Sequence, residues 1–223
     1  MTNDIREHHL RVERTARYYV DGTVGGDVER VWLLCHGYGQ LARELLVEAA
    51  ALRVDERTLL VAPEGLSRFY ARGGAGAVGA SWMTKEMREE EIDEYLAYLD
   101  RVLDAIMAEI DGTPALSLFG FSQGVATAVR YGLRGRHRAE RAILWGSTFQ
   151  PDEIERSAER MRSLTSVVVA GETDPLVPPE SIAAFATEIR EAGYPVAYAT
   201  HQGGHHLDGA LLADLANPPR NRS

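Results

Sequence analysis

The stretch Ala115-Leu116-Ser117-Leu118-Phe119-Gly120-Phe121-Ser122-Gln123-Gly124 decides how this chain is read. Its first half is a short, mostly apolar run, the pattern of a strand buried on both faces in a parallel sheet. Its second half is G-x-S-x-G, and a helical pattern follows at once over Ser122–Leu133. Strand, tight turn and helix in direct succession are the context that a nucleophile elbow requires. The two glycines relieve clashes that side chains would make in so tight a turn. The turn holds the serine in a strained conformation that lifts its hydroxyl to the carboxyl edge of the sheet, beside a helix N-terminus.

Outward from this stretch the chain alternates strand and helix. Val31–Cys35, Thr58–Ala62, Arg141–Trp145, Ser166–Ala170 and Val196–Thr200 are further short apolar runs, most of them bounded by Gly, Pro or Asp. Val12–Val20, followed by Asp21-Gly22, reads as an antiparallel edge strand. In Glu86–Ile110 the residues Ile92, Leu96, Leu99, Leu103, Ile106 and Ile110 form one apolar stripe, so a long helix is expected, with acidic residues at its positive end and Asp111-Gly112-Thr113-Pro114 as its stop. Helices are also expected at Pro179–Ala192 and Leu207–Leu215. The fold class is α/β: a mostly parallel central sheet with helices on both faces, in one domain spanning residues 1–223. Residues 1–10 and 217–223 read as flexible ends. Ser67–Ser81, rich in Gly after Arg68-Phe69-Tyr70, reads either as a lid or as a long loop.

A serine nucleophile needs a base, and the base needs an orienting carboxylate. In α/β-hydrolases these follow in the order serine, acid, histidine. Gly171-Glu172-Thr173-Asp174-Pro175-Leu176-Val177-Pro178 follows the run Ser166–Ala170 and puts Asp174 in a loop at a strand's carboxyl end; Glu172 sits too close to the strand. His201-Gln202-Gly203-Gly204-His205-His206 follows Val196–Thr200. His205, after a flexible glycine pair, is best placed to swing toward Ser122, with His206 as the alternative and His201 at the strand end. The expected triad is Ser122, His205 and Asp174.

An oxyanion site takes two backbone donors. One is expected from Gln123, the residue after the nucleophile. The other is expected from Tyr38 in His36-Gly37-Tyr38-Gly39, which follows Val31–Cys35. His36 reads as a structural residue bonded within its loop.

These four motifs in this order resemble the phospholipase/carboxylesterase family, which includes small bacterial carboxylesterases and acyl-protein thioesterases. The resemblance runs from about Val31 to Leu215. It implies a compact α/β-hydrolase with no large cap, no metal and no organic cofactor, backbone donors at Tyr38 and Gln123, and a weak homodimer, although no patch in the sequence requires one. The chain departs from the family at Gln40, where Asp is usual, and at Val125, where a second glycine is usual. The segment from Phe69-Tyr70 to Trp82-Met83 is fuller than in the thioesterases, and Trp82 matches a tryptophan that lines the acyl pocket of relatives. Phe69, Tyr70, Trp82, Met83, Leu176 and Val177, with Tyr38, are the candidate substrate-binding residues.

Bulk properties narrow the remaining choices. A net charge of −9 across 223 residues repels phosphate backbones and anionic membranes, so no nucleic-acid partner is expected. The basic run Arg130–Arg141 reads as a solvated helix end. Cys35, the single cysteine, forms no internal disulfide and reads as a small core hydrophobe. No segment has the length of a membrane span or the pattern of a signal peptide, and a cytoplasmic location follows by default. The function expected is hydrolysis of short- to medium-chain carboxylic esters, the partner being a small-molecule ester. Hydrolysis of acyl-thioesters or lysophospholipids by the same triad is the alternative. A non-catalytic binding protein on a hydrolase scaffold is the remote one.

Overall fold

The computed structural model describes residues 4–71, 76–150, 152–155 and 157–217. Among them the apolar runs form β2 (Arg30–Cys35), β3 (Thr58–Pro63), β6 (Ala115–Phe121), β7 (Ala139–Trp145), β8 (Thr165–Gly171) and β9 (Val196–His201). With β1 (Tyr18–Asp21) they make a seven-stranded sheet in the order β1-β3-β2-β6-β7-β8-β9. All neighbours are parallel except β1, which runs antiparallel to β3 at the edge. The expected edge strand is therefore shorter than Val12–Val20. Tyr18 already faces Pro63, the last residue of β3, so residues upstream have no partner strand to pair with.

Period-two alternation divides the core between the two faces of the sheet. Val31, Leu33 and Cys35 of β2 point to one side, where α2 (Arg88–Met107), α3 (Gln123–Arg134), α5 (Ala158–Ser163) and α6 (Pro179–Glu191) pack. Trp32 and Leu34 point to the other, against α1 (Ala42–Glu48) and α7 (Gly209–Ala216). Helix α2 buries Ile92, Leu96, Leu99, Leu103 and Ile106, the stripe read from its spacing, together with Tyr95 and Val102. Burial pushes the Cys35 thiol far above its ordinary range, so it is inert packing. No described helix is long and apolar enough to cross a membrane.

Three features differ from the expectations. Ser67–Ser81 is not a plain loop but contains an antiparallel pair, β4 (Ser67–Tyr70) and β5 (Val78–Ser81). Residues 72–75 of that segment, like 1–3 and 218–223 of the ends, lie outside the described residues. Arg130 is not solvated. It is 4% exposed and bonds Glu153 at 2.7 Å and the Tyr95 hydroxyl at 3.3 Å, because its face of α3 is covered by α2 and by the short helix α4 (Asp152–Glu155). Arg141 is half-buried, lies over the Trp32 ring and donates to the last carbonyls of α7, so its charge does answer a helix C-terminus.

Candidate active site

The sheet order reverses between β2 and β6: from β2 the chain moves one way to β3, then returns to the other side at β6. The loops after these two strands diverge there and leave a crevice at the carboxyl edge, where ligands of open α/β sheets bind. The motifs after β2 and β6 are the glycine-rich His36–Gln40 loop and the Ser122 turn.

Ser122 has φ 53° and ψ −118°, a conformation that L side chains rarely adopt and that functional turns retain. The residues two places before and after it must be glycine. A Cβ on Gly120 would lie 2.5 Å from the Gly124 carbonyl oxygen, and one on Gly124 would lie 1.9 Å from that of Cys35. The start of α3 thus rests directly on the end of β2. Ser122 N–H donates to Trp145 O at 2.8 Å, tying the turn to β7. Ser122 is half-buried at the head of α3.

Asp174 and His205 come together from loops that follow β8 and β9. His205 Nδ1 is 2.7 Å from Asp174 Oδ2, and the Asp174 side chain is 1% exposed. The other carboxylate oxygen accepts the N–H groups of Leu176 at 2.8 Å and Val177 at 3.1 Å. Burial pushes the Asp174 pKa up, but the bonds from His205 and the two amides outweigh it and hold the carboxyl below its ordinary value. An ionised Asp174 keeps the proton of a neutral His205 on Nδ1 and leaves Nε2 free as a base. The His205 ring is 5.0 Å from that of Phe121, the residue before Ser122, and its Cε1 would touch a Cβ on Gly146 at 3.2 Å. His205 therefore reaches back over β8 to the ends of β7 and β6.

Of the competing residues, His206 lines the same cavity as His205 with its ring edge-on to His201, while the bond to Asp174 is made by His205; the others are placed elsewhere. Glu172 accepts a bond from Thr200 at 3.1 Å. His201 is buried, its ring edge-on to His206 and tilted against Trp145. His36 Nε2 accepts the Gly65 N–H at 2.9 Å, so its proton sits on Nδ1, which donates to Gly37 O at 2.8 Å. It acts as a structural tie and is not available as a second base.

In the loop after β2, Gly37 N–H donates to Gln40 Oε1 at 3.0 Å and Gly39 N–H to Ala80 O at 2.8 Å. Tyr38 N–H, between them, has no acceptor among the described residues. Gln123 is the first residue of α3, so its N–H has no partner within the helix. Gly37 abuts the elbow: a Cβ there would be 3.3 Å from Ser122 Cβ. Gln40, which departs from the family pattern, closes this loop through the Gly37 bond.

A cavity of about 520 Å³ opens beside His205, lined among others by Tyr38, Phe121, Leu207, Glu44 and Glu48. Of the residues expected to bind substrate, Tyr38 is on its wall and Phe69 stacks on Tyr38 at 5.1 Å. Tyr70 and Leu176 are exposed, Val177 packs against the core, and Trp82 is buried on His36 with ring centroids 4.9 Å apart. Met83 is partly buried and touches Arg130. The sequence does not single out Glu44 and Glu48: they lie four residues apart on the helix whose Ala42 and Leu45 face the core, and carboxylates at that spacing on a solvent side are common. Among the described residues no group of His, Cys, Asp or Glu is arranged to hold a metal ion.

The serine hydrolase (FSH1) family matches residues 33–207, well over half of the chain. The chain belongs to this family. Its fold is shared with solved structures across nearly their whole length. Maize (Zea mays) acyl-protein thioesterase 2 is 17% identical with a TM-score of 0.67, the match covering 91% of this chain and 96% of that one. Esterase PE8 is 21% identical with a TM-score of 0.69, covering 91% and 97%. A phospholipase/carboxylesterase from Dyadobacter fermentans is 20% identical with a TM-score of 0.64, covering 92% and 98%. At such identities the likeness establishes the α/β-hydrolase fold. No curated protein sequence matches.

Proposed function

We propose that this serine hydrolase cleaves carboxylic esters of short to medium acyl chains through a covalent acyl-enzyme. The observation that carries this reading is the 2.7 Å bond from His205 to buried Asp174, beside the strained Ser122 turn. Ser122 Oγ attacks the ester carbonyl while His205 Nε2 takes its proton. The Tyr38 and Gln123 amides stabilise the tetrahedral oxyanion. His205 then protonates the departing alcohol, and Asp174 holds the imidazolium meanwhile. Water activated by His205 attacks the acyl-Ser122, and collapse of the second tetrahedral species releases the acid and restores the serine.

The open cavity supports small esters, with Tyr38, Phe121 and Leu207 as its apolar wall and Phe69 behind Tyr38. The stacked Tyr38–Phe69 pair also offers a surface for a longer chain, and this favours a second reading as an acyl-thioesterase, the activity for which the maize neighbour is named.

Labelling with a fluorophosphonate separates these from a non-catalytic scaffold. Wild type should label and Ser122→Ala should not. A wild type that fails to label would sink the hydrolase chemistry. Paired p-nitrophenyl esters and thioesters of increasing chain length then choose between the readings. A kcat/KM that peaks at short or medium esters supports the first; one that climbs steadily with chain length and favours thioesters supports the second.

A further inference from the structure

The side chain after the nucleophile makes contacts that the reaction as described does not use. Gln123 Oε1 accepts the N–H of Trp82 at 3.2 Å, while Nε2 donates to Met83 O at 3.0 Å and to Ser81 Oγ at 3.1 Å. These bonds join the elbow to the end of β5, about forty residues away in sequence. From that strand end two further bonds reach the loop that carries the other proposed oxyanion donor, on either side of Tyr38. Ala80 O accepts Gly39 N–H at 2.8 Å, and Trp82 Nε1 donates to His36 O at 2.9 Å. The Trp82 ring also stacks on His36, whose own Nδ1 holds the Gly37 carbonyl. A Cβ on Gly79 would lie 2.5 Å from Gly39 O, so β5 is pressed against the Tyr38 loop.

We propose that the Gln123 side chain is a positioning residue: acting through the Ser81–Met83 strand end and Trp82, it fixes the separation of the Tyr38 and Gln123 amides. This rests on the hydrolase reading of Ser122. The two donors come from different loops, and an oxyanion site works only if both point at one oxygen without rearrangement during the reaction. A bond made by either donor N–H to the other loop would consume that donor. Bracing both against a third segment leaves the donors free. The chemistry of the carboxamide suits the task, since one lobe must accept from Trp82 N–H and the other must donate to Met83 O. Glutamate would set a carboxylate oxygen against that carbonyl, and methionine would fill the space with no strong bond.

The test uses the full chain with Gln123→Met, Gln123→Glu and Trp82→Phe, following kcat and KM for p-nitrophenyl butyrate. Inhibition by a trifluoromethyl ketone, whose serine adduct needs the oxyanion site, is compared with inhibition by a neutral carboxamide that binds without forming an adduct. Losing one oxyanion donor outright costs about 10²–10³-fold in kcat. Displacing one should cost the Gln123 variants about tenfold or more, with KM within about twofold. The trifluoromethyl ketone should weaken by the same factor as kcat/KM while the carboxamide does not change. Trp82→Phe should shift the same quantities in the same direction by less. If Gln123→Met does not fold, Gln123→Glu and Trp82→Phe carry the comparison. Variants within twofold of wild type, or both inhibitors weakened alike, overturn the brace. Fluorophosphonate labelling of wild type distinguishes the two failures. A labelled wild type with unaffected variants defeats the brace alone, whereas an unlabelled wild type defeats the hydrolase reading and the brace with it.

Discussion

His205 Nδ1 and Asp174 Oδ2 are 2.7 Å apart, and the remaining Asp174 oxygen is already bound by the amides of Leu176 and Val177. The carboxylate is thus fixed from its own loop before the imidazole meets it. Asp174→Asn preserves an oxygen for the amides and loses only the orientation of His205. It should lower kcat by about four orders of magnitude, as loss of the orienting carboxylate does in Ser-His-Asp enzymes, with little change in unfolding temperature. A fall of less than about a hundredfold in p-nitrophenyl ester turnover would remove Asp174 from the triad.

The neighbouring histidines divide the same way. His205→Ala should abolish turnover to about a thousandth or less of wild type, while His206→Ala should keep most of it. Initial rates on p-nitrophenyl acetate decide this, and equal losses from both substitutions would contradict the assignment.

Acid should destabilise the protein through histidines outside the proposed chemistry. Burial lowers the pKa of His201, as does nearby His206, and burial likewise lowers that of His36. Both are neutral in the folded state, whereas the unfolded chain takes up protons below its ordinary value near 6.5. Stability is therefore present in full above that pH and declines as the pH falls from it toward the lowered folded values. Urea midpoints at pH 7.5 and 5.5 should differ, and His201→Phe should narrow the gap because neither nitrogen of His201 has a partner among the described residues. An unchanged gap would exclude His201 as a source.

The buried pair of Arg130 and Glu153 makes a stability prediction. Arg130→Ala leaves the buried Glu153 carboxylate with the more distant Arg88, whose Nη2 is 3.6 Å away, while its Oε2 has no partner among the described residues, and should destabilise by up to about 3–5 kcal/mol. Replacing both residues by methionine should recover much of that loss. Denaturant unfolding of single and double variants measures the difference, and a cost below about 1 kcal/mol for Arg130→Ala would mean the pair is open to water.

Glu44 and Glu48 give the cavity beside His205 a negative wall. Gln40 donates to Glu48 at 2.9 Å, and partial burial raises the Glu48 pKa. Esters bearing a carboxylate should be poorer substrates than neutral ones of the same size. Glu44→Gln and Glu48→Gln should each narrow the preference by roughly two- to fivefold, the range for exposed charge pairs. A ratio of kcat/KM values unaffected by either substitution would place the substrate elsewhere.

Much of this architecture was legible in the chain because its strands are buried on both faces and so appear as short unbroken apolar runs. The G-x-S-x-G turn was equally open, since Gly120 and Gly124 answer steric demands that no other residue meets. What stayed hidden depended on contacts distant in sequence. Arg130 looks solvated until α2 and α4 cover it, and β4–β5 shows no strong alternation because Gly79 is there to let backbone meet backbone. The cavity wall on α1 was missed for the same reason: Glu44 and Glu48 acquire a role only once His205 arrives from the far end of the sheet.

The 1.9 Å that a Gly124 Cβ would leave to Cys35 O bears on how this protein can change. With the helix headed by Ser122 seated on bare backbone at Gly124 and Gly120, neither glycine can be enlarged to refit Ser122 to another substrate. New specificities, whether selected in nature or in the laboratory, would have to be written in the surroundings: the face of α1, the β4–β5 pair and the loop before α7. Libraries aimed at those segments should yield altered variants, while those aimed at Gly120 and Gly124 should yield mostly dead ones.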